Sequence, residues 1–537
     1  MKRRTLIAAS SGLFALKASA MSRTPAAPAA SSALPDLQEA SATQLAAALQ
    51  AGRTTAEALV KGYGARIEAL DRRGPKLNSV IEMNPDALVI ARERDAERRA
   101  GKLRGPLHGL PVLLKDNIAT ADLMSTSAGS MALDGVRARR DAFLVQRLRE
   151  AGAVILGKTN LSEWANIRST RSTSGWSARG GLTRNPYALD RSTSGSSSGT
   201  GAAIAASLCA LGVGTETDGS IVSPASINGL VGLKPTLGRI SRAGVIPIAH
   251  SQDTAGPMTR TVADAALLYA AMVGADADDP ITQKAPPLPQ GAERVAAAPL
   301  NGLRLGVARA YFSGNDEADA LIETAITQLR GLGATVVDDA GLPAPAYGDA
   351  ELSVLLYELK HDLALWLKAY APHARVQTLA DVIAFNRANA AREMPWFRQE
   401  LFDKAQALGG LDSPAYLEAL AACVKGARTE GLDRAFDTHR LDALIAPTGG
   451  PAWLIDPVNG DHYGGSFSTP AAVAGYPHLT VPAGFVQGSP GLPGLPMGLS
   501  FVGRPFTEPA LLAMGLAFEQ ATRHRRAPAF TKRSVPV

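Results

Sequence analysis

The chain alternates short apolar runs with amphipathic segments. Thr54-Thr55-Ala56-Glu57 reads as a capping box, and Leu59, Tyr63, Ile67 and Leu70 follow on one helical face. Asn84-Pro85 opens a second helix, which Gly101 stops. Leu110 to Leu114 is an unbroken apolar run of strand length that ends at Lys115-Asp116-Asn117. Asp141 to Ala151 predicts a helix with Phe143, Leu144 and Leu148 inward, and Gly152 leads into a strand at Ala153 to Leu156. A strand at Leu303 to Ala308, a helix at Asp319 to Leu332 and a strand at Thr335 to Val337 repeat the rhythm. Such alternation predicts an α/β sheet covered by helices on both faces. Residues 350–440 read as mainly helical and carry Tyr357, Trp366, Phe385 and Trp396, which suits a cap-like segment over a site. No repeat and no break divides the chain after residue 38, so one large domain over 38–537 is expected.

The N-terminus departs from this pattern. Lys2, Arg3 and Arg4 precede a mostly apolar run from Thr5 to Leu16, and Ala18-Ser19-Ala20 has small residues at cleavage spacing. Residues 1–20 therefore read as a secretory signal peptide, and Arg3-Arg4 suits twin-arginine export to a bacterial periplasm. Residues 21–37, rich in Ala, Pro and Ser, read as a disordered linker.

Charge and composition then narrow the class. Removing residues 1–20 takes four of the 55 basic residues away, against 49 acidic ones, so the net charge falls from +6 to about +2. Nucleic-acid binding is not indicated. No internal stretch of about 20 uninterrupted apolar residues suggests a membrane span or anchor. Cys209 and Cys423 are too few for a disulfide framework or a cysteine-rich zinc site, and both lie in apolar surroundings. The eight histidines show no paired ligand spacing, so neither a metal site nor a cofactor is expected.

The candidate chemistry lies in Ser194-Gly195-Ser196-Ser197-Ser198-Gly199-Thr200-Gly201 and in Gly214-Thr215-Glu216-Thr217-Asp218-Gly219-Ser220-Ile221. Glycine lets backbone N–H groups converge on one point, as an oxyanion site requires. Gly195 to Gly199 also matches G-x-S-x-G, which would make Ser197 an elbow nucleophile. That motif needs a strand just before it, and Asn185 to Arg191 makes a poor one.

Taken with Gly109-Leu110-Pro111-Val112-Leu113-Leu114-Lys115-Asp116-Asn117 and Gly229-Leu230-Val231-Gly232-Leu233-Lys234-Pro235-Thr236, these motifs resemble the amidase signature family of serine hydrolases over residues 38 to 530. Gly157 to Asn166, Ser174 to Gly181 and Ser251 to Met258 are most similar to its peptide amidases, which remove the C-terminal amide from peptides. The resemblance implies the amidase signature fold, with a mixed β-sheet core. It implies Ser220 as the nucleophile, Ser196 as a bridging serine after a non-proline cis peptide, and Lys115 as the base. It implies an oxyanion hole from the N–H groups of Thr217, Asp218, Gly219 and Ser220. Such donors each contribute on the order of 3–4 kcal/mol to a transition state. Ser197 is expected to support the site, and Lys158 and Lys234 to be structural. A serine–lysine pair of this kind needs a neutral lysine, which burial supplies.

Two positions depart from the wider family. Ser198 and Asp218 stand where many members have glycine, and Asp218 is expected either beside the oxyanion loop or turned inward to cap backbone amides. The implied activity is hydrolysis of peptide C-terminal amides or, alternatively, of broader aliphatic or aryl amides. Two other readings are a component of a tRNA-dependent amidotransferase, against which the leader argues, and an inactive binding protein, against which the intact Lys115, Ser196 and Ser220 argue. Substrate side-chain preference and oligomeric state are not legible.

Overall fold

The computed structural model describes residues 36–487 and 494–532, so the leader and most of the linker lie outside the described residues. Thirteen strands occur among them: β1 Val80–Met83, β2 Pro111–Lys115, β3 Val154–Thr159, β4 Trp176–Ser177, β5 Gly181–Leu182, β6 Leu211–Glu216, β7 Val231–Lys234, β8 Thr254–Thr259, β9 Arg304–Val307, β10 Thr335–Val337, β11 Ala443–Pro447, β12 His478–Val486 and β13 Leu495–Val502. Eleven of these join one sheet in the order β1-β3-β2-β6-β8-β7-β12-β13-β11-β9-β10, and β4 pairs β5 separately.

The sheet is mixed. β3-β2-β6 and β11-β9-β10 are parallel blocks, and the strands between them run antiparallel to their neighbours. Every residue of β2, β3, β6, β7, β8, β11 and β13 is buried. Successive strand residues point to opposite faces, so both faces are covered. The protein is thus a single large α/β domain.

Local signals account for most elements. The helix Ala56–Arg66 starts as expected, but Thr55 caps it by accepting from Ala58 N at 3.1 Å. The expected box from Thr54 to Glu57 does not form because the cap falls one residue later, at Thr55, whose partner position is Ala58; Glu57 bonds Arg92 and Lys61 instead. Leu59, Tyr63 and Ile67 are buried on the face the periodicity indicates. The helices Ala87–Arg99 and Phe143–Glu150 and strands β2, β9 and β10 also fall where the pattern places them. Residues 350–440 are mainly helical, led by the long helix Gly348–Tyr370.

Two glycines bring the serine-rich segment onto the sheet. A Cβ on Gly212 of β6 would stand 2.7 Å from side-chain atoms of Ile204 and Thr200, and one on Gly214 would stand 2.8 Å from Ser197 Oγ. Their absence lets the helix Ser198–Ala205 lie directly against β6. Ser196 and Ser197 are thereby placed beside the C-terminal ends of β2 and β6, which run parallel. Those strand ends are where open α/β sheets hold their ligands.

Candidate active site

Lys115 is the last residue of β2 and is fully buried. Its Nζ lies 2.7 Å from Ser196 Oγ, and it donates to Thr215 Oγ1 at 2.9 Å and Thr215 O at 3.2 Å. Burial pushes its amine down to about 7, against a weaker opposing pull from Asp253 and Glu216. Asp116 does not pair with it: its carboxylate takes Ser127 Oγ and Gly129 N, in keeping with strand alternation. Lys115 forms no ion pair among the described residues.

Ser196 follows a cis Gly195–Ser196 peptide bond, the geometry the resemblance implies. Ser197 does not bond Lys115. Its Oγ donates to Thr215 O at 3.0 Å and accepts from Thr215 N at 3.2 Å. No strand precedes it, so the elbow arrangement is not built.

Ser220 lines a cavity of about 440 Å³ together with Gly195, Asn166, Asp218, Leu355 and Trp453. Leu355 comes from the helix Gly348–Tyr370, so the helical segment does contribute a wall of the site. Ser196 and Lys115 are completely buried and do not line the cavity. Ser197 N donates to Ser220 O at 3.2 Å, which ties the two serine segments together through the backbone. The hydroxyls of Ser196 and Ser220 are not hydrogen-bonded to one another among the described residues. A larger cavity of about 790 Å³, lined in part by Arg104 and Arg147, contains none of these groups.

The turn Thr217–Ser220 is braced from several sides. Gly219 adopts φ +76°, where a side chain would be strained. Glu216 Oε2 accepts from Ile221 N at 2.8 Å and Val222 N at 3.0 Å, fixing the start of the next helix. Thr217 Oγ1 donates to Asp253 Oδ1 at 2.5 Å, and Gln252 Nε2 donates to Thr217 O at 3.3 Å. The amides of Thr217, Asp218, Gly219 and Ser220 have no acceptor among the described residues, and these residues line the cavity.

Asp218 projects its carboxyl to the side, where Oδ2 accepts from Thr469 Oγ1 at 2.6 Å. It does not cap the turn's own amides. Lys158 and Lys234 are buried away from Ser196, Lys158 bonding Ile118 O and Thr126 and Lys234 bonding Pro235 O. Thr215, Gln252 and Asp253 lie inside segments quoted from the sequence, but nothing in the residue pattern there marks their roles. The residue pattern does not single out Glu351, which Gln252 also bonds at 2.9 Å.

The family model described as Amidase matches residues 58–512. A probable amidase of Arabidopsis thaliana is 40% identical over 505 residues, covering 92% of each chain. The native peptide amidase from Stenotrophomonas maltophilia is 50% identical, with a TM-score of 0.85 over 92% of this chain and 99% of that one. A glutamyl-tRNA(Gln) amidotransferase subunit from Symbiobacterium thermophilum is 36% identical over 92% of this chain and 99% of its own.

Proposed function

The chain belongs to the amidase family and is an amide-hydrolysing enzyme, and from that premise we propose that it cleaves peptide C-terminal amides through an acyl-enzyme on Ser220. One observation carries the mechanism: a buried lysine without a carboxylate partner among the described residues, 2.7 Å from Ser196 Oγ, whose neighbour Ser197 donates its N–H to Ser220 O.

The steps follow from these positions. A rotation of the Ser220 side chain brings its hydroxyl to Ser196; apo catalytic contacts commonly tighten only with substrate bound. Ser220 Oγ attacks the carboxamide carbon. Its proton passes to Ser196 Oγ, whose own proton passes to neutral Lys115 Nζ. The oxyanion is received by the amides of the turn Thr217–Ser220. When it collapses, the C–N bond breaks and the proton returns through Ser196 to the leaving nitrogen, releasing ammonia. Water then attacks the Ser220 ester by the same relay, giving the carboxylic acid and free serine.

The substrate class rests on likeness to the peptide amidase, which shares half its residues with this chain over nearly its whole length. Likeness to the amidotransferase component supports a second reading, in which the released ammonia would be handed to a partner acting on tRNA. Ammonia release from a peptide amide by the purified protein alone separates the two. Ser220→Ala should abolish that release, and a fluorophosphonate should modify Ser220. A Ser220→Ala variant that still turned over, or an adduct on Ser197, refutes the assignment.

Export is proposed separately from residues 1–20. A periplasmic fraction should contain protein beginning at Met21, and Arg3-Arg4 replaced by Lys-Lys should remain inside the cell. Active cellular protein with residues 1–20 intact by mass spectrometry would contradict this.

A further inference from the structure

Glu351 lies in the first turn of the helix Gly348–Tyr370 and is buried. Its Oε1 accepts from Gln252 Nε2 at 2.9 Å, and the same amide donates to Thr217 O. One glutamine therefore ties the helical segment to the turn before Ser220. Next to it, Asp218 Oδ2 is taken by Thr469, whereas Asp218 Oδ1 is buried without a hydrogen-bond partner among the described residues. Ser468 and the Glu351 carboxyl lie against the Asp218 carboxyl.

Two carboxyls in contact cannot both be ionised without repulsion, and a shared proton turns that repulsion into a hydrogen bond. We propose that Glu351 is a positioning residue for the oxyanion turn, holding Thr217 through Gln252 and Asp218 through a shared proton, so that loss of this proton inactivates the site at alkaline pH. The inference rests on the turn Thr217–Ser220 serving as the oxyanion hole.

The surroundings favour a proton over an ion pair. Lys234 is the cation near Asp218, but it lies against Glu216 as well, and burial brings it down to about 8. Tyr311, Tyr347 and the exposed Tyr463 face the pair, and burial pushes the phenols of Tyr311 and Tyr347 up; Cys423 is pushed up to about 11. None of these four ionises near neutrality. On the far side of Thr217, Asp253 is raised to about 7 by burial. Burial and then Asp218 push Glu351 up to about 8. A dianion at the pair would set a second negative charge beside the loop that must accept the oxyanion, and would repel Asp218 out of place.

The test is kcat/KM for a peptide amide between pH 6 and pH 10 on the full-length wild type, Glu351→Gln and Glu351→Ala. Glutamine keeps an oxygen for Gln252 and an N–H for Asp218 but cannot ionise. Wild type should lose about tenfold per pH unit above an apparent value of about 8. Glu351→Gln should lose less than about tenfold at pH 7 and then stay level to pH 10, with the acid limb of Lys115 in place. Glu351→Ala, which frees both Gln252 and Asp218, should lower kcat by about tenfold or more with a smaller change in KM. If alanine prevents folding, the glutamine variant still decides the matter. A wild type without an alkaline limb, or the same limb in Glu351→Gln, overturns the proposal; the latter result would assign the limb to Lys234. Active Ser220→Ala would instead remove the reading on which the inference rests.

Discussion

Glu163 Oε1 and Arg168 Nη1 meet at 2.7 Å with both side chains completely buried. Glu393, from the helical segment, approaches the same guanidinium at 3.8 Å, and its backbone carbonyl also accepts from Arg168. Trp176 and Phe397 lie beside the guanidinium. Two acids and one cation thus bind the helical segment to Glu163–Asn166, next to the wall formed by Ala165, Asn166 and Ile167. Burial, and then repulsion from Glu393, hold Glu163 well above the ordinary carboxylate range despite the opposing pull of Arg168.

Arg168→Met should therefore destabilise the protein by about 3–5 kcal/mol at neutral pH, because two buried acids lose their cation. Without Arg168 both carboxyls have folded-state values above the unfolded one. The stability they permit is full below about pH 4 and is lost as pH rises through the folded values. Urea titrations at several pH values should show the deficit of Arg168→Met shrinking on acidification. A deficit independent of pH would mean that packing, and not charge, accounts for it.

Ser197→Ala separates the two adjacent serines. Among the described residues Ser197 Oγ serves only Thr215, accepting its N–H and donating to its carbonyl. Alanine leaves that buried N–H without its acceptor, a cost of about 1–3 kcal/mol, and loosens the residue that holds Lys115 Nζ. Activity should fall but stay measurable, and a fluorophosphonate should still modify Ser220. Complete loss of labelling in a folded Ser197→Ala protein would give Ser197 a part in the chemistry.

The difference between these serines shows where the sequence is legible. Strand β2 is readable because five apolar residues lie between Gly109 and Lys115, and the charged residue marks its end. The order of motifs then points to Lys115, Ser196 and Ser220, which the fold brings to one place. Strand β3 runs past the expected Leu156 to Thr159, since Gly157-Lys158-Thr159 is kept extended by pairing with β1 and β2 and not by its own residues. The helix Ser198–Ala205 carries three residues that favour turns, so only its packing on Gly212 and Gly214 reveals it. Glu351 lies far from Asp218 in the chain. A contact made once between distant segments leaves no period or spacing to read.

Lys115 makes the most exacting demand on the fold, and it can be tested by stability as well as by rate. Its value is about 7 in the folded protein, against 10.5 in a free chain. Between these limits the unfolded chain binds more protons, so stability rises with pH across that window. At pH 7 and below the deficit is complete, about 5 kcal/mol. Lys115→Met keeps the bulk of the side chain and has no such slope. It gives up the Nζ contacts to Ser196 and Thr215, although Thr215 Oγ1 still receives Asn117 Nδ2 at 2.9 Å. Each lost contact costs about 0.5–1.5 kcal/mol, so the variant should be more stable than wild type by about 1–4 kcal/mol at pH 7. The gap should close and then reverse in favour of wild type as pH approaches 10.5, with other titrating groups cancelling in the difference. The same variant should lose about 10²–10⁴ in rate, together with the rise in activity through pH 7 that neutral Lys115 gives the wild type. A stability difference that stays flat from pH 7 to pH 10 would show a lysine that titrates as it does in water. Such a lysine is charged at neutral pH and cannot accept the proton of Ser196.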